Sequence, residues 1–494
     1  MIEEIDSLPD DPVLLKKLLA KQAARLMFLE EQFRLAQQQR FGASSEAHPA
    51  QGDLFNEVEV TLDDIEAQEE VSTVTVKKKS KRKPLPKDLP REVIVHDIEN
   101  KTCACCGNEL HQMGDARSEK LEFIPAQVKV IEHVRLKYSC RDCEKENTTT
   151  KIVIAPVPLS PIPKGIATAT LLSQIITSKY QYALPLYRQE SLFKQYGIQL
   201  SRQTMADWMI KSSHLFKPLY ARLQEILLQQ SVIQADETPL KVIKEDNVKS
   251  YMWLYCTGSD SPNNSVVPNI VLYDYQSGRA GKCVVDYLDG FTGYLQVDGY
   301  VGYEKTSAKL AGCWAHARRK FIEAQTAQPK GKTGKADMAL SIIQKLYRIE
   351  TSLKDKTEQE KYQVRQEKAK PLLAKFEQWL SKANVVPKSA LGKAIGYCQN
   401  QWYKLIYYCE DGNLNIDNNR AERAIKPFVI GRKNWLFANT ANGAKASAML
   451  YSMIETAKAN GLIQFDYIAH CLEALSDKDC DIEQLLPWHV KLNS

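Results

Sequence analysis

Apolar positions near the start of the chain recur at alternating steps of four and three: Leu15, Leu19, Gln22, Leu26, Leu29, Phe33 and Ala36. That spacing keeps them on one stripe with a period of ~3.5 residues and predicts a helix over residues 13–40 that pairs as a coiled coil. Gln22, the polar member of the seam, can set register. Residues 46–72 are then acidic and poor in aromatics, and the charge reverses at Lys77, Lys78, Lys79, Lys81, Arg82 and Lys83, followed by Pro84, Pro86 and Pro90. This predicts a linker whose basic end adds salt-sensitive phosphate affinity in a DNA-binding protein.

Helical spacing returns over residues 165–230, with Leu171, Leu172, Ile175 and Ile176 on one side. Ser201 suits an N-cap for a helix carrying Met205, Trp208 and Met209, and Tyr196-Gly197-Ile198 suits the preceding turn. Helix, short turn, helix fits a helix-turn-helix and fits plain helical packing equally well. From position 231 the period becomes that of strands: residues 231–235, 250–256 and 269–273, a helix around 282–288, then a strand over 292–297. Residues 325–400 are Lys-rich and helical, as an insertion would be, and residues 403–470 resume apolar helix and strand patterns.

The expected organisation is a multidomain α/β chain. It comprises a coiled-coil helix (1–45), a linker (46–92), a cysteine module (93–160) and a helical domain with a candidate DNA-binding helix-turn-helix (161–230). A core follows in two parts (231–324 and 401–445) around a helical insertion (325–400), with a helical tail (446–494).

Composition narrows the class. Among 494 residues, 44% are hydrophobic and 26% charged, as in ordinary globular proteins. No apolar run approaches the ~18 residues needed to span a bilayer. The opening acids Glu3, Glu4 and Asp6 do not resemble a signal peptide, so a cytoplasmic location without membrane contact is expected. The net charge of +6 is modest for the length. Twelve cysteines in such a chain point to metal binding or buried thiols rather than disulfides, and five of them fall between positions 103 and 143.

Cys103-Ala104-Cys105-Cys106-Gly107 and Cys140-Arg141-Asp142-Cys143 form two C-x2-C knuckles 33 residues apart. Two ligands from each satisfy one tetrahedral structural Zn2+, and Gly107 permits the tight turn. Cys103, Cys106, Cys140 and Cys143 are the expected ligands. Cys105 is out of register, and His133 is a substitute. A hairpin of residues 121–124 and 128–138 can fill the gap. Its second arm sets Lys129, His133, Arg135 and Lys137 opposite Val128, Val130, Val134, Leu136 and Tyr138. Lys129, Arg135 and Lys137 are candidate phosphate contacts.

Gln234-Ala235-Asp236-Glu237-Thr238 puts an acid at the end of the first strand, and Leu295-Gln296-Val297-Asp298-Gly299 puts another at the end of the fourth. In a sheet of ribonuclease-H type those strands are neighbours, so the carboxylates converge. Asp417-Asn418-Asn419 opens a late helix whose first turns carry Glu422, ringed by Arg420, Arg423, Lys426, Arg432 and Lys433. Three hard oxygen donors suit two Mg2+ or Mn2+ ions, which drive in-line displacement at phosphorus. Glu237 is an outside candidate and Asp289 is read as surface. Cys313 to Phe321 (CWAHARRKF) follows. There His316 can position a scissile phosphate, Arg318, Arg319 and Lys320 can hold the DNA backbone, and Cys313 and Trp314 read as buried.

These motifs, with RFGASSE (40–46), QADET (234–238), VDGY (297–300), DNNRAERAIKP (417–427), GRKNWLF (431–437) and LLPW (485–488), occur in one order along the chain. The sequence resembles a bacterial transposase of the insertion-sequence-66 family. The resemblance implies a DDE transposase with a ribonuclease-H-like catalytic domain interrupted by a helical insertion before the last acid. It also implies a leucine-zipper-like N-terminal helix supporting a homo-oligomer, a zinc finger and a family tail. The family's acids carry over onto Asp236, Asp298 and Glu422, and its CWAH word onto Cys313 and His316. The implied partners are double-stranded DNA, as terminal inverted repeats and target, and small companion proteins of the element. Residues 461–465 depart from the pattern in lacking an Asn-Pro after Gly461-Leu462. Competing functions are a nuclease of the same fold and a DNA-binding regulator without catalysis.

Overall fold

The structure is a computed structural model describing residues 11–41, 91–95, 105, 120, 127–139, 152–245, 249–258, 267–328, 334–490 and 492. The expected linker from residue 46 to 90 and the expected zinc ligands Cys103, Cys106, Cys140 and Cys143 lie outside the described residues. The chain divides into two units, residues 1–62 with 156–494 and residues 63–155.

In the smaller unit β1 (Lys137–Tyr138) pairs antiparallel with β2 (Val153–Ile154), Lys137 opposite Ile154. The described pairing of the basic arm is thus to residues 153–154, and the expected partner 121–124 lies outside the described residues. Lys129, Arg135 and Lys137 are exposed, and Arg135 Nε donates to the Ala155 carbonyl at 2.7 Å. Cys105 is exposed.

In the larger unit α1 (Pro12–Phe41) is the predicted long helix. Its heptad stripe is solvent-exposed at Leu19, Leu26, Leu29 and Phe33. A different face touches the rest of the unit: Arg34 Nε donates to the Ala327 carbonyl and Ala390 N donates to Glu31 Oε1, each at 2.9 Å. Four helices follow: α2 (Ala169–Tyr180), α3 (Leu186–Gln195), α4 (Arg202–Leu215) and α5 (Lys217–Leu228). Gly197, at φ 78°, follows α3, and Ser201 caps α4 by accepting from Thr204 N at 3.1 Å. Met205, Trp208 and Met209 of α4 are buried in the core that the sheet shares.

That sheet has five strands: β3 (Val232–Leu240), β4 (Ser250–Thr257), β5 (Ile270–Gln276), β6 (Tyr294–Gln296) and β7 (Lys309–Ala311). Their order is β5-β4-β3-β6-β7, antiparallel among β3, β4 and β5 and parallel from β3 through β6 to β7. The crossover from β5 to β6 contains α6 (Gly281–Tyr287). β3 is longer than its hydrophobic pattern predicts. It pairs with β4 from Gln234↔Cys256 to Leu240↔Ser250, whereas its parallel pairing to β6 stops at Gln234↔Gln296. Asp236 therefore lies inside a strand rather than at its end, because the antiparallel neighbour keeps supplying hydrogen-bond partners past it.

After β7 the chain enters α7 (Trp314–Thr326) and then a helical bundle of α8 (Lys335–Thr351), α9 (Glu358–Val364), α10 (Lys370–Lys382) and α11 (Ala390–Leu405). This bundle has a separate core in which Trp314, Phe321, Phe376 and Trp402 meet. The chain returns to the sheet with α12 (Asn419–Trp435) and α13 (Ala441–Ala459) and ends with α14 (Gln464–Ala474). An open edge strand invites foreign pairing. Here α13 blocks it: Tyr273 N donates to Ser452 Oγ at 2.8 Å and Val271 N to Thr456 Oγ1 at 3.1 Å. Among the described residues no helix is long and apolar enough to cross a membrane.

Candidate active site

The β3–β6 register brings two acids together. Gln234 faces Gln296, so Asp236 and Asp298 lie two residues beyond the last parallel pair, at equivalent positions on adjacent chains. Both are half-buried. Asp236 accepts from Glu237 N at 2.8 Å, and Asp298 accepts from Tyr300 N at 2.8 Å in an Asx-type turn. The Asp236 carboxyl is held well above the ordinary range, first by burial and then by the charges of Glu237, Glu422 and Asp298.

Glu422 is carried in by the start of α12. Asn418 anchors that start: its backbone N donates to Cys313 Sγ at 3.2 Å and its Nδ2 to the carbonyl of Ala235, the residue before Asp236, at 2.8 Å. Asp417 accepts from Asn419 N at 3.1 Å and from Tyr347 of the helical bundle at 2.9 Å. Glu422 itself is 2% exposed and takes a hydrogen bond from Arg319 Nη2 at 2.6 Å. Burial lifts its pKa to about 7 against the pull of Arg319, with Asp417 and Asp298 pushing the same way as burial.

His316 Nδ1 lies 3.4 Å from Glu422 Oε1, and both atoms are buried without a hydrogen-bond partner. Burial, then Arg319 and Lys320, lower the imidazole pKa to about 3, so the ring is neutral at neutral pH. Cys313, His316 and Glu422 place their ligand atoms within 4.8 Å of one another. Cys313 and Trp314 are fully buried, as expected, yet Cys313 also contributes the sulfur that holds Asn418.

Several basic candidates have structural partners. Arg319 grips Glu422 rather than facing outward. Arg420 is 6% exposed and donates to the Thr257 carbonyl at the end of β4, so burial removes it from any DNA-facing surface. Arg432 donates to Thr238 Oγ1 at 3.0 Å and to the Pro239 carbonyl, pinning α12 to β3. Lys320 sits over the Tyr397 ring, 5.1 Å from its centroid. Arg318 and Arg423 are half-buried, as is Lys426, and Lys433 is exposed.

Glu237 points elsewhere. Arg279 Nε donates to it at 2.8 Å, Tyr303 also donates, and the carboxyl pKa is still raised, by burial first and by Asp298 second. Its side chain is engaged by Arg279 and Tyr303. Sequence reasoning passed over Asn418, Arg279 and Tyr303; the Asp417-Asn418-Asn419 run was the one signal available, and it read only as a helix cap.

Comparison with known proteins agrees along the chain. A family described as "Transposase IS66 family" matches residues 164–446, "zinc-finger binding domain of transposase IS66" matches 100–144, "Transposase C of IS166 homeodomain" matches 28–94, and "IS66 C-terminal element" matches 452–488. The zinc-finger match spans all four knuckle cysteines, which points to Zn2+ and, with the transposase match, to DNA binding. Relatives in Sinorhizobium fredii include the uncharacterized protein y4jD, 33% identical over 82% of this chain and 81% of its own. A second, y4qI, is 33% identical over 88% of this chain and 83% of its own. No solved structure matches.

Proposed function

Because the chain belongs to the IS66 family of transposases, we propose that it is a DDE transposase that binds the terminal inverted repeats of its element and catalyses metal-dependent strand cleavage and strand transfer. The observation that carries this reading is the β3–β6 register, which aligns Asp236 with Asp298 while Asn418 ties the Glu422 helix to the same strand. The strand order β5-β4-β3-β6-β7, with the third acid arriving after a helical insertion, supports a ribonuclease-H-like catalytic core.

The residues fit a pair of hard cations. Glu422 Oε1 is buried with no hydrogen-bond partner, and Asp236 is desolvated among like charges, a field that a divalent cation relieves. Asp236, Asp298 and Glu422 would hold Mg2+ or Mn2+, which when bound activate a water or a DNA 3′-hydroxyl and stabilise the leaving oxygen. Arg319 fixes the Glu422 rotamer. His316, neutral, offers a hydrogen bond to a phosphate without adding charge. Arg318, Lys320, Arg423, Lys426 and Lys433 contact the DNA backbone, as do Lys129, Arg135 and Lys137 of the smaller unit. Cys103, Cys106, Cys140 and Cys143 hold one structural Zn2+. The exposed heptad stripe of α1 supports a homo-oligomer, and small companion proteins complete the assembly.

The test is cleavage and joining of labelled inverted-repeat DNA with Mg2+. Wild type gives both products; Asp236→Asn, Asp298→Asn and Glu422→Gln give neither while still binding DNA. Cut ends without joined product indicate a nuclease. Variants indistinguishable from an inactive wild type that still binds DNA indicate a regulator.

A further inference from the structure

The end of the GRKNWLF segment, Trp435-Leu436-Phe437, is not used by the chemistry above, and it forms an unusual turn. α12 stops at Trp435, and Leu436 takes φ 66° and ψ −44°. Phe437 N donates to the Trp435 carbonyl at 2.8 Å. Together these define a γ-turn of the positive-φ form, which is rare and strained for a residue with a Cβ. The strain is held by fastenings on both sides. Leu436 N donates to the Arg432 carbonyl at 2.7 Å, and Ala438 N donates to the Lys241 carbonyl at 2.9 Å. Ile243 N returns a bond to Ala438 at 3.0 Å. Trp435 packs edge-on against Phe428 in the core.

This rigid turn displays apolar side chains instead of hiding them. Leu436 is 65% exposed and Phe437 44% exposed, beside Ile243 at 49%. Lys241, Lys244 and Lys433, all exposed, lie in the adjoining segments. An apolar tip among cations suits a polyanion with apolar faces inside it, which describes duplex DNA. On the same helix Arg423, Lys426, Ile430 and Lys433 recur at steps of three and four, so one stripe runs from beside the third acid to the last turn before the tip.

We propose that Leu436 and Phe437 form a wedge that enters the base stack of bound DNA and holds one step open during cleavage. The inference rests on the transposase reading above. Its position follows from the fold. Lys241, which pairs with Ala438, is five residues beyond Asp236, or roughly 17 Å at ~3.3 Å per residue. The helical path from Glu422 to Leu436 is fourteen residues, or roughly 21 Å at ~1.5 Å each. Both routes keep the tip within roughly 20 Å of the acids, so the opened step lies within about six base pairs of the cut, at ~3.4 Å per step.

The experiment places 2-aminopurine singly along a duplex carrying the terminal inverted repeat of the encoding element and adds full-length protein. Wild type raises fluorescence at one step within about six pairs of the cut. Phe437→Ala and Leu436→Gly, the latter relieving the turn, abolish that rise. Each slows cleavage about tenfold, the scale of one lost base–aromatic stack. The salt dependence of binding stays unchanged, because the lysines remain. Enhancement that survives in both variants overturns the wedge. So does intact cleavage by wild type with no unstacked position, or a change in sedimentation of the variants with fluorescence unaltered, which would make the patch a protein contact. A wild type that neither binds nor cuts the ends sinks the wedge together with the transposase reading.

Discussion

Replacing Asn418 with Ala tests how the site is built. Asn418 is 1% exposed and caps α12, and its Nδ2 bond to the Ala235 carbonyl joins the helix bearing Glu422 to the strand bearing Asp236. Loss of that donor leaves a buried carbonyl without this partner, costing about 1–3 kcal/mol of stability. Glu422 lies four residues on, only ~6 Å along the helix axis, so a shift at the cap is transmitted almost undiminished. A displacement of ~1 Å in such a site lowers the rate by about a hundredfold. The assay pairs urea denaturation with Mg2+-dependent end cleavage, scored per folded molecule. Asn418→Asp keeps the shape but removes the donor and adds a further negative charge near the acids, so it should be no better than Ala. If Asn418→Ala loses the expected stability yet cleaves at the wild-type rate, Asn418 does not position the third acid and the reasoning fails.

Further expectations follow from other buried groups. Arg365 is 2% exposed and bonds both oxygens of Glu350 and the carbonyls of Tyr408, Asp411 and Leu414; Arg365→Met should cost about 3 kcal/mol, read from the urea midpoint, because it strands a half-buried carboxylate and removes the donor shared by three carbonyls. Asp274 has its pKa raised by burial to about 6, so the folded state holds a proton that the unfolded state releases near ~4. Stability should therefore fall as pH rises between those values, by up to about 3 kcal/mol, and Asp274→Asn should flatten that decline in a melting-temperature series. Elemental analysis should find one zinc per chain, lost in Cys140→Ser but retained in Cys105→Ser.

Much of the site was legible because its signals are local. The change from a helical to a two-residue period at position 231, the acids closing residues 234–236 and 296–298, and the polar helical stretch before Asp417 each depend on neighbours within a few positions. These local patterns were enough to expect adjacent first and fourth strands with a late helix bringing a third acid, and the sheet order and register contain that adjacency.

Tertiary structure decided what each charge touches. Arg319 and Arg420 read as DNA-facing cations, yet Arg319 turns inward to Glu422 from 103 positions away and Arg420 reaches the Thr257 carbonyl 163 positions away. Such pairings are set by which helix faces pack, and a sequence window cannot contain them. For the same reason the length of β3 was misread: its own apolar pattern ends early, while β4 continues to satisfy its backbone through Leu240. The heptad period alone specified a stripe on α1, whereas the fold alone left that stripe exposed and used another face of the helix for contact. Periodicity is a property of the chain itself; the choice of partner is a property of the packed whole, because only there do distant groups compete for the same buried hydrogen bond.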